Sequence, residues 1–125
     1  DKKYTLIKVT KERIEIKQKV VFKTGRSKVL PKSFEMLDQV ADALVSNKIR
    51  KVLVEGHTDD VGAASTNMRL SQKRADAVRK YLISKGVSAD VLDAIGFGET
   101  RPLEDKRTRA ARKMNRRVEF KTIER

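Results

Sequence analysis

"VEGHTDDVGAASTNMRLSQKRADAV", residues Val54 to Val78, decides how the rest of the chain is read. It begins inside a short apolar run, passes a histidine, a threonine and two adjacent aspartates, crosses a loop at Gly62 and enters a segment carrying Arg69, Lys73 and Arg74. The run "KVLVEGHT" from Lys51 is β-branched and bounded by polar residues, the pattern of an interior strand. Beyond Gly62, the residues Leu70, Arg74, Ala77, Val78, Tyr81 and Leu82 recur at three or four positions, which predicts a helix over Thr66 to Lys85. Gly86 stops it as a C′ glycine does.

Outward from this strand and helix, "YTLIKVTKERIEIKQKVVF" (Tyr4 to Phe22) alternates. Ile14 and Ile16 face one way and Arg13, Glu15 and Lys17 the other, with a hairpin turn at Lys11-Glu12. Gly25 and Pro31 punctuate a loop, and Phe34, Leu37, Val40, Ala41, Leu44 and Val45 form the apolar stripe of a first helix over Lys32 to Ser46. A helical turn at Ser88, a strand over Asp93 to Gly98 and a final strand "RVEFKTI" complete the order. The fold class is α+β: a two-layer βαβαββ sandwich whose mixed sheet carries helices on one face, preceded by an N-terminal strand or hairpin. The expected division is an extension over residues 1–19 and a binding domain over residues 20–125.

The chain has 125 residues, enough for one domain that buries roughly two-thirds of its unfolded surface. Thirty Lys and Arg against 17 Asp and Glu give +13, so polyanions are attracted: nucleic acid, acidic lipid or an anionic cell-wall polymer. The most basic stretch, "EDKRTRAARKMNRRVEF", contains no aromatic residue before Phe120 on which bases could stack, which argues against dedicated nucleic-acid binding. There is no cysteine, so disulfide and thiolate chemistry are excluded. No run nears the roughly 18 apolar residues of a membrane span, and a first residue of Asp1 instead of Met reads as a processed or excised piece of something longer.

Candidate chemistry is sparse. His57 is the one histidine, so neither a His cluster nor a Cys-based metal site can be assembled, and His57 at a strand end reads as a structural hydrogen-bonding residue. No phosphate-loop or dinucleotide motif occurs; Gly96 and Gly98 read as points of close backbone approach. Asp59 is the carboxylate of interest. It can accept from amides of its own loop, which fixes its rotamer and leaves one oxygen for a cation. Asp60 reads equally as an Asx turn. Arg74 lies on the core-facing stripe of its helix, either as a snorkelling structural residue or as a planar fork for a carboxylate.

Three motifs in order, "GHTDDVGAASTNMRLSQKRADAVRKYL", "GFGETRP" and "NRRVEF", resemble the OmpA-like peptidoglycan-binding domain, the module shared by OmpA C-terminal domains, peptidoglycan-associated lipoproteins and the flagellar stator protein MotB. The match runs from about Val20 to Ile123. The resemblance implies non-covalent binding of the diaminopimelate in the peptidoglycan stem peptide, without catalysis or cofactor, in the periplasm or cell envelope. It implies that Asp59 holds the ligand ammonium and Arg74 its carboxylate, with the loop Phe22, Lys23, Thr24 and Gly25, then Asn67, Leu70 and the backbone of Thr58, around them. Either Arg116 or Arg117 adjoins the pocket. Lys106 and Ala111 stand where the family often has Asn and Gly, and Lys23, Arg26 and Lys28 make the site's surroundings unusually basic, as an anionic glycan or polymer would favour. A membrane would be reached only through a part of the parent protein outside this chain, and an oligomer is compatible. The alternative is a basic module for nucleic acid or another anionic polymer.

Overall fold

The computed structural model describes residues 4–124. A hairpin comes first: β1 (Ile7–Val9) and β2 (Arg13–Ile16) pair antiparallel, with Ile7 opposite Ile16 and Val9 opposite Ile14. A 3-10 turn at Pro31–Ser33 leads into α1 (Phe34–Ser46); then follow β3 (Lys51–His57), α2 (Ala64–Ser84), β4 (Leu92–Gly96), α3 (Arg109–Asn115) and β5 (Arg117–Glu124). The sheet order is β1-β2-β5-β3-β4, with β3 parallel to β4 and antiparallel to β5. The hairpin is continuous with this sheet, since β2 pairs with β5 through Arg13–Lys121 and Ile14–Phe120.

One face of the sheet is the core. Ile14, Phe120, Val54 and Ala94 lie in one row across β2, β5, β3 and β4, and α1 and α2 cover them with Leu37, Val40, Leu44, Val78 and Leu82. Val54, Val78, Leu82, Leu37 and Val40 are completely buried, as interior strand and amphipathic-stripe positions require. The helices are knitted together at their surface by Phe34 stacked on Tyr81 at 4.9 Å and by Tyr81 Oη donating to Asp38. They are tied to the hairpin by Tyr4 Oη donating to Asp42 and by Gln39 Oε1 accepting from the Leu6 amide.

Two glycines let α2 sit directly on the sheet. A Cβ on Gly56 would lie 2.2 Å from the Ser71 carbonyl oxygen, and one on Gly96 would lie 2.2 Å from the Gln72 nitrogen. This contact fixes where the start of α2 stands above the ends of β3 and β4, and therefore where the site forms.

The structure differs from the sequence reading in three places. The alternation that runs to Phe22 predicts strand, but β2 stops at Ile16. Beyond it the backbone bonds elsewhere: Val21 N donates to Ser33 Oγ, Val21 O accepts from Leu30, and Phe22 makes a single bridge to Val29. β4 ends at Gly96 and not at Gly98, because Gly98 has φ +56 and its carbonyl accepts from Thr58 in a turn. The basic stretch after Pro102 contains α3, where the sequence reading assigns no element; Thr108 caps it, its Oγ1 accepting from the Ala111 amide at 3.1 Å.

Candidate functional site

The loop after β3 is built by its own polar groups. Asp59 Oδ1 accepts from the Val61 amide at 2.9 Å, an Asx turn that fixes the carboxylate rotamer. Asn67, in the first turn of α2, donates its Nδ2 hydrogens to the carbonyls of Val61 and Asp59, at 3.0 and 3.3 Å. Thr58 Oγ1 donates to the Asp59 carbonyl, and the Thr58 amide is committed to Gly98. Thr58, Asp59 and Asn67 are all buried. One Asp59 oxygen remains, Oδ2, and it meets Arg116 Nη1 at 2.6 Å, a charge-assisted contact.

Arg116 connects Asp59 to a hollow of about 380 Å³ lined by Phe22, Thr24, Gly25, Arg74, Arg116 and Arg117, together with Lys19 and Lys113. Arg74 enters it from α2. Its guanidinium lies 4.7 Å over the Phe22 ring, and its Nε donates to the Arg26 carbonyl at 2.9 Å. The core-facing position is therefore resolved by snorkelling: the stem packs inward, and the head reaches the edge of the core with its two terminal nitrogens directed to no described partner. Burial first, then the neighbouring Arg116, push the Arg74 pKa down from its ordinary value. Two guanidiniums held close, with one carboxylate beside them, favour a ligand that carries anionic oxygens and a cation.

Arg116 and Arg117 part company here. Arg117 also lines the hollow, but its nitrogens are committed elsewhere: Nε pairs with Glu119 Oε2 at 2.5 Å, and the terminal nitrogens donate to the carbonyls of Asn115 and Arg101. Arg116 alone of the two meets Asp59. Of the other site residues read from the sequence, Lys23 is exposed, and Leu70 lines an adjoining groove instead of this hollow. Asp60 belongs to the α3 side. Its carboxyl is held below the usual range by the Arg112 hydrogen bond at 2.9 Å, with Arg107 adding at 3.4 Å.

Lys19 and Lys113 were not legible as site residues. Lys19 Nζ donates to the carbonyls of Lys113 and Arg116 at the C-terminal end of α3, where a cation suits the helix dipole. Burial and the nearby Arg116, Lys113 and Arg117 lower its pKa. Its place depends on α3, and a capped "TRAARKMN" segment of good helix formers was the available signal.

Behind β3 lies a second polar cluster. His57 Nε2 faces Glu55 Oε1 at 2.9 Å, so it donates to that carboxylate and leaves Nδ1 as an acceptor, which is buried and has no partner. Desolvation lowers the His57 pKa despite the opposing hydrogen bond it donates to Glu55, with Arg117 adding to the drop, and His57 is neutral at pH 7. Among the described residues, Glu55, His57 and Glu119 place ligand atoms within 4.8 Å of one another. Glu119 already binds Arg117 and Lys121, so a metal ion there would have to displace two cations.

A model of the OmpA family matches residues 21–116. The chain belongs to the OmpA family. Over 106 residues it is 39% identical to the outer membrane porin F of Pseudomonas fluorescens, covering 85% of this chain and 32% of that protein. It is 34% identical over 101 residues to the peptidoglycan-binding protein ArfA of Mycobacterium bovis, covering 81% of this chain and 31% of that one. This OmpA-family chain thus spans about a third of the length of these relatives. Among solved structures, the peptidoglycan-associated lipoprotein of Burkholderia pseudomallei is similar with a TM-score of 0.72 and 31% identity, over 82% of this chain and 86% of that one. The two-layer α+β architecture is the OmpA-family architecture, with the hairpin β1-β2 lying entirely before the segment the family model matches.

Proposed function

We propose that this domain binds peptidoglycan non-covalently by gripping the diaminopimelate of the peptide stem, and so anchors a longer envelope protein to the cell wall from the periplasmic side. The observation that carries this reading is the state of Asp59: one oxygen is fixed by the Val61 amide, and the other is on the exchangeable cation Arg116, which itself lines a hollow that also presents Arg74. A free side-chain zwitterion fits this arrangement. Its ammonium takes Asp59 Oδ2 from Arg116, and its carboxylate takes the two terminal nitrogens of Arg74 as a bidentate pair. Arg116, released, remains beside the anion. Phe22, Thr24 and Gly25 form the wall against which the ligand's carbon chain lies, while Asn67 and Thr58 hold the Asp59 loop. No bond is made or broken, so no nucleophile or general base is required. Two relatives support the class of ligand, a peptidoglycan-binding protein and a peptidoglycan-associated lipoprotein, and a third, an outer membrane porin, supports the envelope setting.

The charge of +13 favours a second reading, a module for nucleic acid or another polyanion. Co-sedimentation with purified sacculi separates the two. The wild-type domain is expected to pellet with sacculi, and Asp59→Asn and Arg74→Ala to remain in the supernatant while keeping their circular-dichroism spectra. Asn at position 59 still offers Oδ1 to the Val61 amide, so the loop survives while the charge is lost. Each substitution leaves a charged ligand group unpaired, which costs on the order of 2 to 5 kcal/mol. Sacculus binding unchanged in both folded variants would remove the clamp.

A further inference from the structure

Beside the clamp, across the Gly25 turn, lies a groove of about 350 Å³ lined by Arg26, Ser27, Thr66, Arg69, Leu70 and Lys73. Its three charged residues are all cations and all exposed, and two hydroxyls complete its polar lining. Several surface cations outside the groove are matched: Arg112 and Arg107 by Asp60, Arg117 and Lys121 by Glu119, Lys85 by Asp38, Lys51 by Asp93. Among the described residues, no carboxylate pairs with Arg26, Arg69 or Lys73. Arg69 and Lys73 stand one helical turn apart on α2, a like-charge pair at i, i+4 that disfavours the free protein and that an anion relieves. The groove is coupled to the clamp by covalent and hydrogen-bonded neighbours: Lys73 precedes Arg74, and Arg74 Nε holds the Arg26 carbonyl.

We infer that this groove is a second subsite, for an anionic oxygen group carried by the same wall polymer whose diaminopimelate occupies the clamp. This rests on the reading under Proposed function. The reach is short: Lys73 in the groove and Arg74 in the hollow are consecutive residues, with Cα atoms about 3.8 Å apart, and two extended peptide residues span about 7 Å. A carboxylate on the stem residue next to diaminopimelate therefore reaches the groove while Arg74 keeps its own. A phosphate borne by the polymer has the same chemistry and is the other source. Hydroxyls of Ser27 and Thr66 donate to either.

The test uses the whole chain and two double variants: Arg69→Gln with Lys73→Gln in the groove, and Lys11→Gln with Lys17→Gln on the hairpin as a charge-matched control. Arg26 is left intact so that the turn at Gly25, whose main chain orients Arg74, is not disturbed. Affinities are measured by NMR titration for free diaminopimelate, for the stem tripeptide alanyl-γ-glutamyl-diaminopimelate, for that tripeptide amidated at the glutamate α-carboxylate, and for inorganic phosphate. The groove variant is expected to lose about fivefold in tripeptide affinity and nothing for free diaminopimelate, while the hairpin variant loses nothing. A similar loss on amidating the glutamate, absent in the groove variant, assigns the anion to the stem. Indifference to amidation, with phosphate shifting the Ser27, Thr66 and Arg69 amides only when Arg69 and Lys73 are present, assigns it to a phosphate. The inference is overturned if the groove variant matches wild type for both tripeptide and phosphate, or if both double variants lose equally. Failure of free diaminopimelate and tripeptide alike to bind wild type defeats the clamp reading instead, and the phosphate response still decides the groove.

Discussion

Arg74 packs against the core with its stem and, in the proposed reading, recognises the ligand with its head. Its stem lies on the core-facing stripe, its ring contact with Phe22 and its bond to the Arg26 carbonyl orient the head, and two nitrogens stay available. Replacement by Lys keeps the charge but removes the planar fork, so Arg74→Lys should weaken stem-peptide binding at least tenfold by calorimetry; affinity within twofold of wild type would mean that Arg74 acts as a point charge. His57 has a separate consequence. Its folded pKa lies below the ordinary 6.5, so between these values the unfolded chain binds more protons than the folded one. The stability it contributes is complete above about pH 6.5 and is lost as pH falls through the folded value. Asp60 and Glu119, also lowered, act in the same direction but only below their ordinary values of 3.8 and 4.5. In denaturant unfolding between pH 7 and pH 5, His57→Gln should flatten the wild-type decline, and an unchanged slope would rule His57 out as its cause. At this scale the sequence was legible for Asp59, whose amide acceptor and remaining oxygen follow from an aspartate at a strand end. It left Arg116 and Arg117 undivided, because two adjacent arginines entering a strand differ only in which sheet face each takes.

The decisive element contact is α2 on β3 and β4. Gly56 and Gly96 bring helix backbone against strand backbone, which sets Arg74 in its hollow, while the Asp59 loop lines a neighbouring one and reaches the first through Arg116. Gly56→Ala drives its Cβ against the Ser71 carbonyl, backbone that can yield only by moving the helix. A loss of about 2 kcal/mol, or roughly 5–10 °C in Tm, is expected by thermal melting, and an unchanged Tm would show that the packing is looser than this geometry. Helix periodicity and the Gly86 stop made α1 and α2 readable to within two residues at their outer ends. α3 was not readable from periodicity because its seven residues hold one apolar side chain buried in the fold, Ala111, too few to make a stripe. Lys19, which depends on it, was hidden for the same reason.

For the molecule as a whole, the question is what +13 does. Background attraction to polyanions decays with salt in proportion to the counterions released, whereas a zwitterion in a pocket releases few. Raising salt from about 50 to 200 mM should reduce nucleic-acid binding by orders of magnitude and leave stem-peptide binding within a few-fold; salt-resistant, sequence-selective nucleic-acid binding would reverse the assignment. The fold class and the family were both legible from three motifs in order, while the basic groove proposed as a second subsite forms only when the Gly25 turn and α2 are brought side by side. The central claim is that Asp59 and Arg74 hold opposite ends of one diaminopimelate, and its direct measurement is an NMR titration with three stem peptides bearing free diaminopimelate, diaminopimelate amidated at the carboxylate assigned to Arg74, and lysine. Amidation replaces an anionic acceptor pair with one neutral acceptor and a donor facing the guanidinium, and lysine removes the carboxylate altogether. The account predicts shifts at the Thr58 to Gly62 amides that saturate with free diaminopimelate and weaken by tenfold or more with the other two; equal affinity for all three peptides would contradict it.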